Sequence, residues 1–309
     1  MFHLQNVWTL RLWLSVLLML WTLDGCEGNY YLAHPNATEP EESEHPYAKY
    51  VVSIQSISPK MKSNRSGGHY YFGVNHYCVG TIISPTYILT ASHCVFDNRL
   101  RRLLQPHELL VIAGTPNRLR PTVHTQVLRV QGLRPYMRGK IGHKHDLALM
   151  RLQGMLELNL SRALGIAEMA LLPPRPFSNC TVLGWGQSFV RGPFAELVTQ
   201  RIFQLQTDRA CHKIFPISFK HGMICATVHA DAPLDVCRGD SGGPLFCGTK
   251  LTGIVSRGVR CDKSYPAIFT GVFWHRHWIQ TVYSRAGRSW LAKLLLALTI
   301  WRFSNLLVD

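Results

Sequence analysis

Three short segments of the chain carry the residue types that nucleophilic catalysis needs. They are Thr90-Ala91-Ser92-His93-Cys94, His145-Asp146-Leu147-Ala148-Leu149, and the run from Asp235 to Leu245 that contains Arg238-Gly239-Asp240-Ser241-Gly242-Gly243-Pro244. A serine hydroxyl is a weak nucleophile until a base takes its proton. A histidine does this best when a buried carboxylate fixes its tautomer and stabilises the imidazolium. Each segment supplies one of those groups. The glycines around Ser241 also form a turn whose backbone N–H groups can face a developing oxyanion.

Something must bring segments so far apart in the chain to one place. Between and around them, short β-branched or apolar runs alternate with turn residues: Tyr50 to Ile54, Gly80 to Ile83, Leu109 to Ala113, Val127 to Val130, Leu147 to Leu152, Leu251 to Val255 and Ala267 to Phe273. Such spacing predicts an all-β sandwich or barrel. Lys60 to Gly68 is polar and Gly-rich and reads as an exposed loop. Near the end the period becomes helical. Trp274, Trp278, Ile279 and Val282 share one face, with His275, Arg276 and Gln280 elsewhere.

With these residues in place, the chain resembles the chymotrypsin-like serine peptidases, in particular the trypsin-like branch, over residues 49–284. The resemblance implies two six-stranded antiparallel β-barrels with the site in the cleft between them, closed by a C-terminal α-helix. It makes His93 the general base, Asp146 its orienting carboxylate and Ser241 the nucleophile. The N–H groups of Gly239 and Ser241 become the oxyanion hole. It also implies four disulfides: Cys78 with Cys94, Cys180 with Cys247, Cys211 with Cys225, and Cys237 with Cys261. Those are the eight cysteines left from nine if Cys26 departs with a leader. Without the resemblance, eight cysteines allow 105 pairings.

The resemblance also implies a substrate-binding pocket. Asp235, six residues before Ser241, falls at its base, and a buried carboxylate there calls for a cationic side chain. Cleavage after Lys or Arg follows. Ser256 and Gly258 form one wall and Ala267 the other. Ala267 stands where the family commonly has glycine, and its methyl would narrow the slot, so that the slimmer lysine is preferred to arginine or both are turned over slowly. Arg257 stands where the family has tryptophan, and Val79 where it has glycine.

The ends complete the organisation. Arg11 followed by Leu12 to Leu20, apolar apart from Ser15, and the small Gly25, Cys26 and Gly28 reads as a signal peptide over 1–28, the alternative being a retained anchor. Residues 29–48 form an acidic extension with Glu39, Glu41, Glu42 and Glu44. Residues 285–309 form a basic and apolar tail, read as an interfacial helix, a lipid-anchor signal or a packing extension. Secretion agrees with the even cysteine count and with sequons at Asn36, Asn64, Asn159 and Asn179.

Composition excludes other classes. At 309 residues and 47% hydrophobic the chain is no disordered protein, and its apolar runs are too short for several membrane spans. The net charge of +15 has a local source: residues 109–145 hold no acid but carry Arg118, Arg120, Arg129, Arg134, Arg138, Lys140 and Lys144. That stretch reads as a basic face for acidic proteins or sulfated glycans, beside protein substrates or inhibitors as main partners. A secreted protein makes nucleic acid a poor partner. Calcium lacks its carboxylates there. The alternate histidines His143/His145 and His275/His277 lack further ligands, so neither metal nor cofactor is expected.

One departure from the family is large. Its members mature by cleavage after a basic residue, and the new Ile-Val-Gly-Gly-like terminus pairs with the aspartate before the nucleophile, here Asp240. This chain has no such sequence, and no Lys or Arg between Gly28 and Lys49. Two readings follow. One is a peptidase activated by an unusual route, such as another terminus or an internal cation. The other is a poorly active homologue that serves as a protein- or glycan-binding module.

Overall fold

The computed structural model describes residues 45–57, 72–97, 99–136, 145–159, 162–187, 189–229, 235–258, 261 and 263–284. The leader at 1–28, the extension up to residue 44, the loop from Lys60 to Gly68, the cations Arg138, Lys140 and Lys144, His143 and the tail at 285–309 lie outside the described residues.

The first half of the chain runs through β1 (Val51–Ser56), β2 (His76–Ser84), β3 (Tyr87–Thr90), a small hairpin of β4 (Phe96–Asp97) and β5 (Arg102–Leu103), then β6 (Leu109–Ala113), β7 (Gln126–Pro135) and β8 (Ala148–Leu152). The second half follows with β9 (Asn179–Gly184), β10 (Thr199–Leu205), the short helix α1 (Asp208–Ile214), β11 (Met223–Val228), β12 (Pro244–Cys247), β13 (Lys250–Arg257) and β14 (Ala267–Gly271). A helix over 272–284, α2, ends the described chain.

These strands close into two barrels of six, ordered β1-β2-β3-β8-β7-β6 and β10-β11-β14-β13-β12-β9. Every pairing in them is antiparallel. This is the architecture the resemblance implied. Closure removes the unpaired edges that open sheets expose.

Period-two patterning explains why the strands close as they do. In β7, Gln126, Leu128 and Val130 turn inward while Arg129 and Gln131 face out. One core gathers Val52, Ile54, Ile82, Ile88, Leu89 and Leu149. The other gathers Val182, Phe203, Leu205, Val255 and Phe269.

Helix α2 differs from the pattern read in the sequence. Trp274 packs against the second core, whereas Trp278, Ile279 and Val282 pack against the first. The helix spans the seam between the barrels, so its apolar residues serve two cores rather than one face. His275, expected off that face, is buried. Its Nδ1 lies 2.6 Å from the Gly271 carbonyl and its Nε2 2.8 Å from His145 Nδ1, which satisfies both ring nitrogens.

Four disulfides join Cys78–Cys94, Cys180–Cys247, Cys211–Cys225 and Cys237–Cys261. They are the pairs the resemblance implied. Two of them clamp the segments that matter most. Cys94 follows His93 and ties its turn to β2, while Cys237 fixes the start of the turn that carries Ser241.

Candidate active site

The first barrel supplies a histidine and a carboxylate. β3 ends at Thr90, and the chain tightens into a single 3₁₀ turn, Ser92–Val95, that holds His93 at the barrel rim. Asp146 stands just before β8, which pairs directly with β3, and so the two residues meet. Asp146 is buried, 4% exposed, and accepts four hydrogen bonds. Oδ1 takes the Ser92 hydroxyl at 2.7 Å and the His93 N–H at 3.0 Å. Oδ2 takes His93 Nδ1 at 2.6 Å and the Ser256 hydroxyl at 2.7 Å.

The electrostatics follow from these contacts. Burial alone pushes the Asp146 carboxyl up, but the bonds from His93, Ser256 and Ser92 outweigh it and hold the group down at about 2. Burial likewise opposes a charge on His93. The hydrogen bond and charge of Asp146 win, and the imidazole lies above its ordinary range. An ionised acceptor at Nδ1 places the ring proton there, which leaves Nε2 as the basic nitrogen.

The second barrel supplies the serine. The turn from Cys237 to Gly243 is closed by Asp240 N–H to the Cys237 carbonyl and Gly243 N–H to the Asp240 carbonyl, both 3.0 Å. Gly239 has φ +98° and Gly242 φ +79°, values that favour glycine. Gly242 also sits against the first barrel, where an added Cβ would lie 2.1 Å from Thr90 Oγ1.

The Ser241 carbonyl accepts from Val79 N–H of β2 at 2.8 Å and lies 3.7 Å from Cys94 Sγ. The serine turn is therefore seated beside the turn that bears His93. Among the described residues, neither Gly239 nor Ser241 gives its N–H to a protein acceptor. Two donors thus remain beside the hydroxyl.

The residues expected to bind substrate surround this turn. Asp235 is fully buried, with Oδ1 accepting Val236 N–H at 2.6 Å. Gly258 lies against the Val236 carbonyl, which an added Cβ would approach to 2.6 Å. Ala267 is fully buried in the same cluster as Val236. The Ser256 hydroxyl is turned to Asp146, so its side chain serves the carboxylate, and its backbone is what a substrate could meet.

Sequence reasoning missed several groups. The bonds from Ser92 and Ser256 to Asp146 are two of them. A third is Arg201, whose Nη1 donates to Asp240 Oδ2 at 2.9 Å, both side chains being buried. The inward alternation of Arg201, Phe203 and Leu205 along β10 was the available signal. His76 of β2 is another: its Nε2 lies 3.0 Å from the Gly239 carbonyl and its Nδ1 2.9 Å from the Ser53 hydroxyl.

Arg118 belongs to a different story from the one its charge told. It is buried and donates to the carbonyls of Gly73, Phe194 and Ala195, so it clamps loops instead of joining a basic face. Arg120, Arg129 and Arg134 are exposed. Cys78, His93 and Cys94 lie close together, but the two sulfurs share a disulfide and offer no thiolate to a metal. Among the described residues no helix is long and apolar enough to cross a membrane.

Comparison with known proteins agrees with this geometry. The chain is 35% identical over 210 residues to kallikrein-14 of Homo sapiens, covering 66% of this chain and 73% of that protein. It is 29% identical over 238 residues to trypsin eta of Drosophila melanogaster, covering 75% and 83%. It is 30% identical over 236 residues to coagulation factor XII of Bos taurus, covering 69% of this chain but only 38% of the length of that relative. The solved structure of neuropsin, a serine protease expressed in the limbic system of mouse brain, superposes with a TM-score of 0.61 at 22% identity, over 77% of this chain and 96% of that one, a likeness of fold. The Trypsin family model matches residues 42–279, well over half of the chain. The chain belongs to the trypsin family.

Proposed function

We propose that the chain is a secreted serine endopeptidase that cleaves peptide bonds after Lys or Arg, with lysine favoured. The observation that carries this reading is the buried Asp146 gripping His93 Nδ1 at 2.6 Å, next to a serine turn with two uncommitted N–H donors. In the reaction, His93 Nε2 takes the Ser241 proton as Oγ attacks the substrate carbonyl carbon. The oxygen becomes an oxyanion facing the N–H groups of Gly239 and Ser241. Asp146 stabilises the imidazolium, which then protonates the leaving amine as the peptide bond breaks. Water, deprotonated by His93, releases the acyl group from Ser241 and restores the serine.

Asp235 is the group that would receive the substrate cation. A buried carboxylate gains most from a fully charged partner that reaches it. The methyl of Ala267 narrows the approach and favours the slimmer lysine. The four disulfides fit an oxidising compartment.

A fluorophosphonate probe should label Ser241 in the purified protein, and Ser241→Ala should abolish labelling. Matched peptide amides should show kcat/KM for Lys at least equal to that for Arg. Failure of wild-type protein to label removes the peptidase reading, and a fast Arg preference removes the role given to Ala267.

A further inference from the structure

We infer that Arg201 is the positioning residue for the oxyanion turn, and that this internal cation sets the turn in the secreted chain without any further, internal cleavage. The inference deepens the peptidase reading and rests on it. It begins with the residue beside the nucleophile. Asp240 is fully buried, and a carboxylate in that position needs donors and a compensating charge or it will not stay. Oδ1 accepts Gly186 N–H at 2.8 Å. Oδ2 accepts Cys237 N–H at 3.0 Å and Arg201 Nη1 at 2.9 Å.

The cradle is tight. A Cβ added at Gly184 would stand 2.3 Å from Oδ1, and one at Gly186 would stand 2.1 Å from Oδ2. Only the bare backbone of these glycines lets the carboxylate lie where it does.

Arg201 is delivered by rigid scaffold. It occupies an inward position of β10, opposite Val182 of β9, and Val182 is opposite Leu245 of β12, four residues past the nucleophile. The distance from cation to turn is therefore fixed by two strand pairings and not by a loop. A guanidinium also keeps its charge at every pH a folded protein meets.

The other side of the turn is anchored by His76, which reaches the Gly239 carbonyl from the first barrel. With Asp240 drawn to Arg201 and Gly239 held by His76, the peptide N–H groups of Gly239 and Ser241 are locked in direction. Every partner of Asp240 among the described residues is internal to the fold. Among the described residues, the Arg201 guanidinium already supplies the counter-charge that a liberated α-ammonium would bring to that carboxylate.

The test uses the secreted full chain with its N-terminus mapped by mass spectrometry, probed with fluorophosphonate and with an Arg peptide amide, whose side chain stays charged from about pH 7 to about pH 11. The expected result is that chains with no internal cleavage react as fast as any shorter form, and that activity persists into the alkaline range. Arg201→Met should lower kcat by ~10²–10³, the cost of a lost oxyanion donor, with the disulfides intact. Arg201→Lys should keep activity near neutrality and lose it in the alkaline range, because a buried ammonium discharges there. Reaction only after a new terminus is cut, or alkaline profiles that coincide for wild type and Arg201→Lys, would overturn the inference. The second comparison decides the matter even if Arg201→Met fails to fold. If wild type does not react at all, the peptidase reading falls, and hydrogen exchange then judges the pair. Faster exchange of residues 237–241 at alkaline pH in Arg201→Lys than in wild type upholds the positioning role; equal exchange overturns it.

Discussion

Two buried carboxylates flank the same serine turn, and the chain partners them in opposite ways. Asp146 is 4% exposed and Asp240 is fully enclosed. Asp146 meets a histidine, a group whose charge changes during catalysis and with pH. Asp240 meets an arginine, whose charge does not change. The surroundings match the partners. Asp146 collects hydroxyls from Ser92 and Ser256, which can reorient as the imidazole charges and discharges. Asp240 collects rigid backbone N–H groups from Gly186 and Cys237. The lesson is a division of labour. In the proposed reaction, one acid would follow the proton, while the other would hold the turn beside which it moves.

The strongest way to break this contrast is at Asp146. Asp146→Asn removes the charge that keeps the His93 imidazole above its ordinary range, and it allows the wrong tautomer. The expected loss in kcat/KM is about 10⁴, the magnitude this triad is known for. The sign of the pH effect is fixed. Activity needs neutral His93, so the acid limb of the profile should move to lower pH in the variant. A loss below about tenfold, or an unmoved acid limb, would mean that Asp146 does not govern the base.

A second variant sharpens the contrast from the other side without removing any charge. Gly186→Ala places a methyl 2.1 Å from Asp240 Oδ2 and 2.6 Å from Oδ1, so the carboxylate must shift. The turn should follow, and kcat should fall by ~10² as the oxyanion donors lose their aim. The His93–Asp146 pair is untouched, so the acid limb should stay where it is in wild type. Steady-state kinetics across pH separates the two variants. A shifted acid limb in Gly186→Ala would show that the carboxylates are not independent.

The two sites were not equally legible in the sequence. His93, Asp146 and Ser241 stand in compact motifs whose chemistry depends on residue type, and type is what a sequence displays. The barrels were legible through alternation, in β7 for example. Arg201 was not, although Thr199 to Leu205 alternates cleanly. Its outward neighbour Ile202 is an exposed hydrophobic, which blurs the pattern. Even a correct inward assignment would not have named which acid it meets, because that depends on the order of strands β10, β9 and β12. Arg118 shows the same limit. Counted as surface charge, it is spent on three carbonyls inside the protein. Net charge says nothing about which cations are folded inward.

His76 offers the gentlest test, since it supports the turn through a neutral bond. Burial is the main cause that lowers its pKa to about 4. The bond to the Gly239 carbonyl works against that shift, and the charge of Arg118 adds to it. The ring is therefore neutral at pH 7, with Nε2 donating to Gly239 and Nδ1 accepting from Ser53. In the unfolded chain the same imidazole titrates near 6.5. Between the two values the unfolded state binds more protons, so stability rises with pH there. The contribution is complete above about pH 6.5 and is lost as pH falls toward about 4, amounting to about 3 kcal/mol. His76→Gln keeps a donor for Gly239 but cannot titrate. Its activity at neutral pH should fall only several-fold, the scale of one neutral hydrogen bond. Urea unfolding at several pH values should show wild type losing stability faster than the variant below about pH 6.5. Parallel curves would mean that burial does not lower the titration of His76 below its ordinary range.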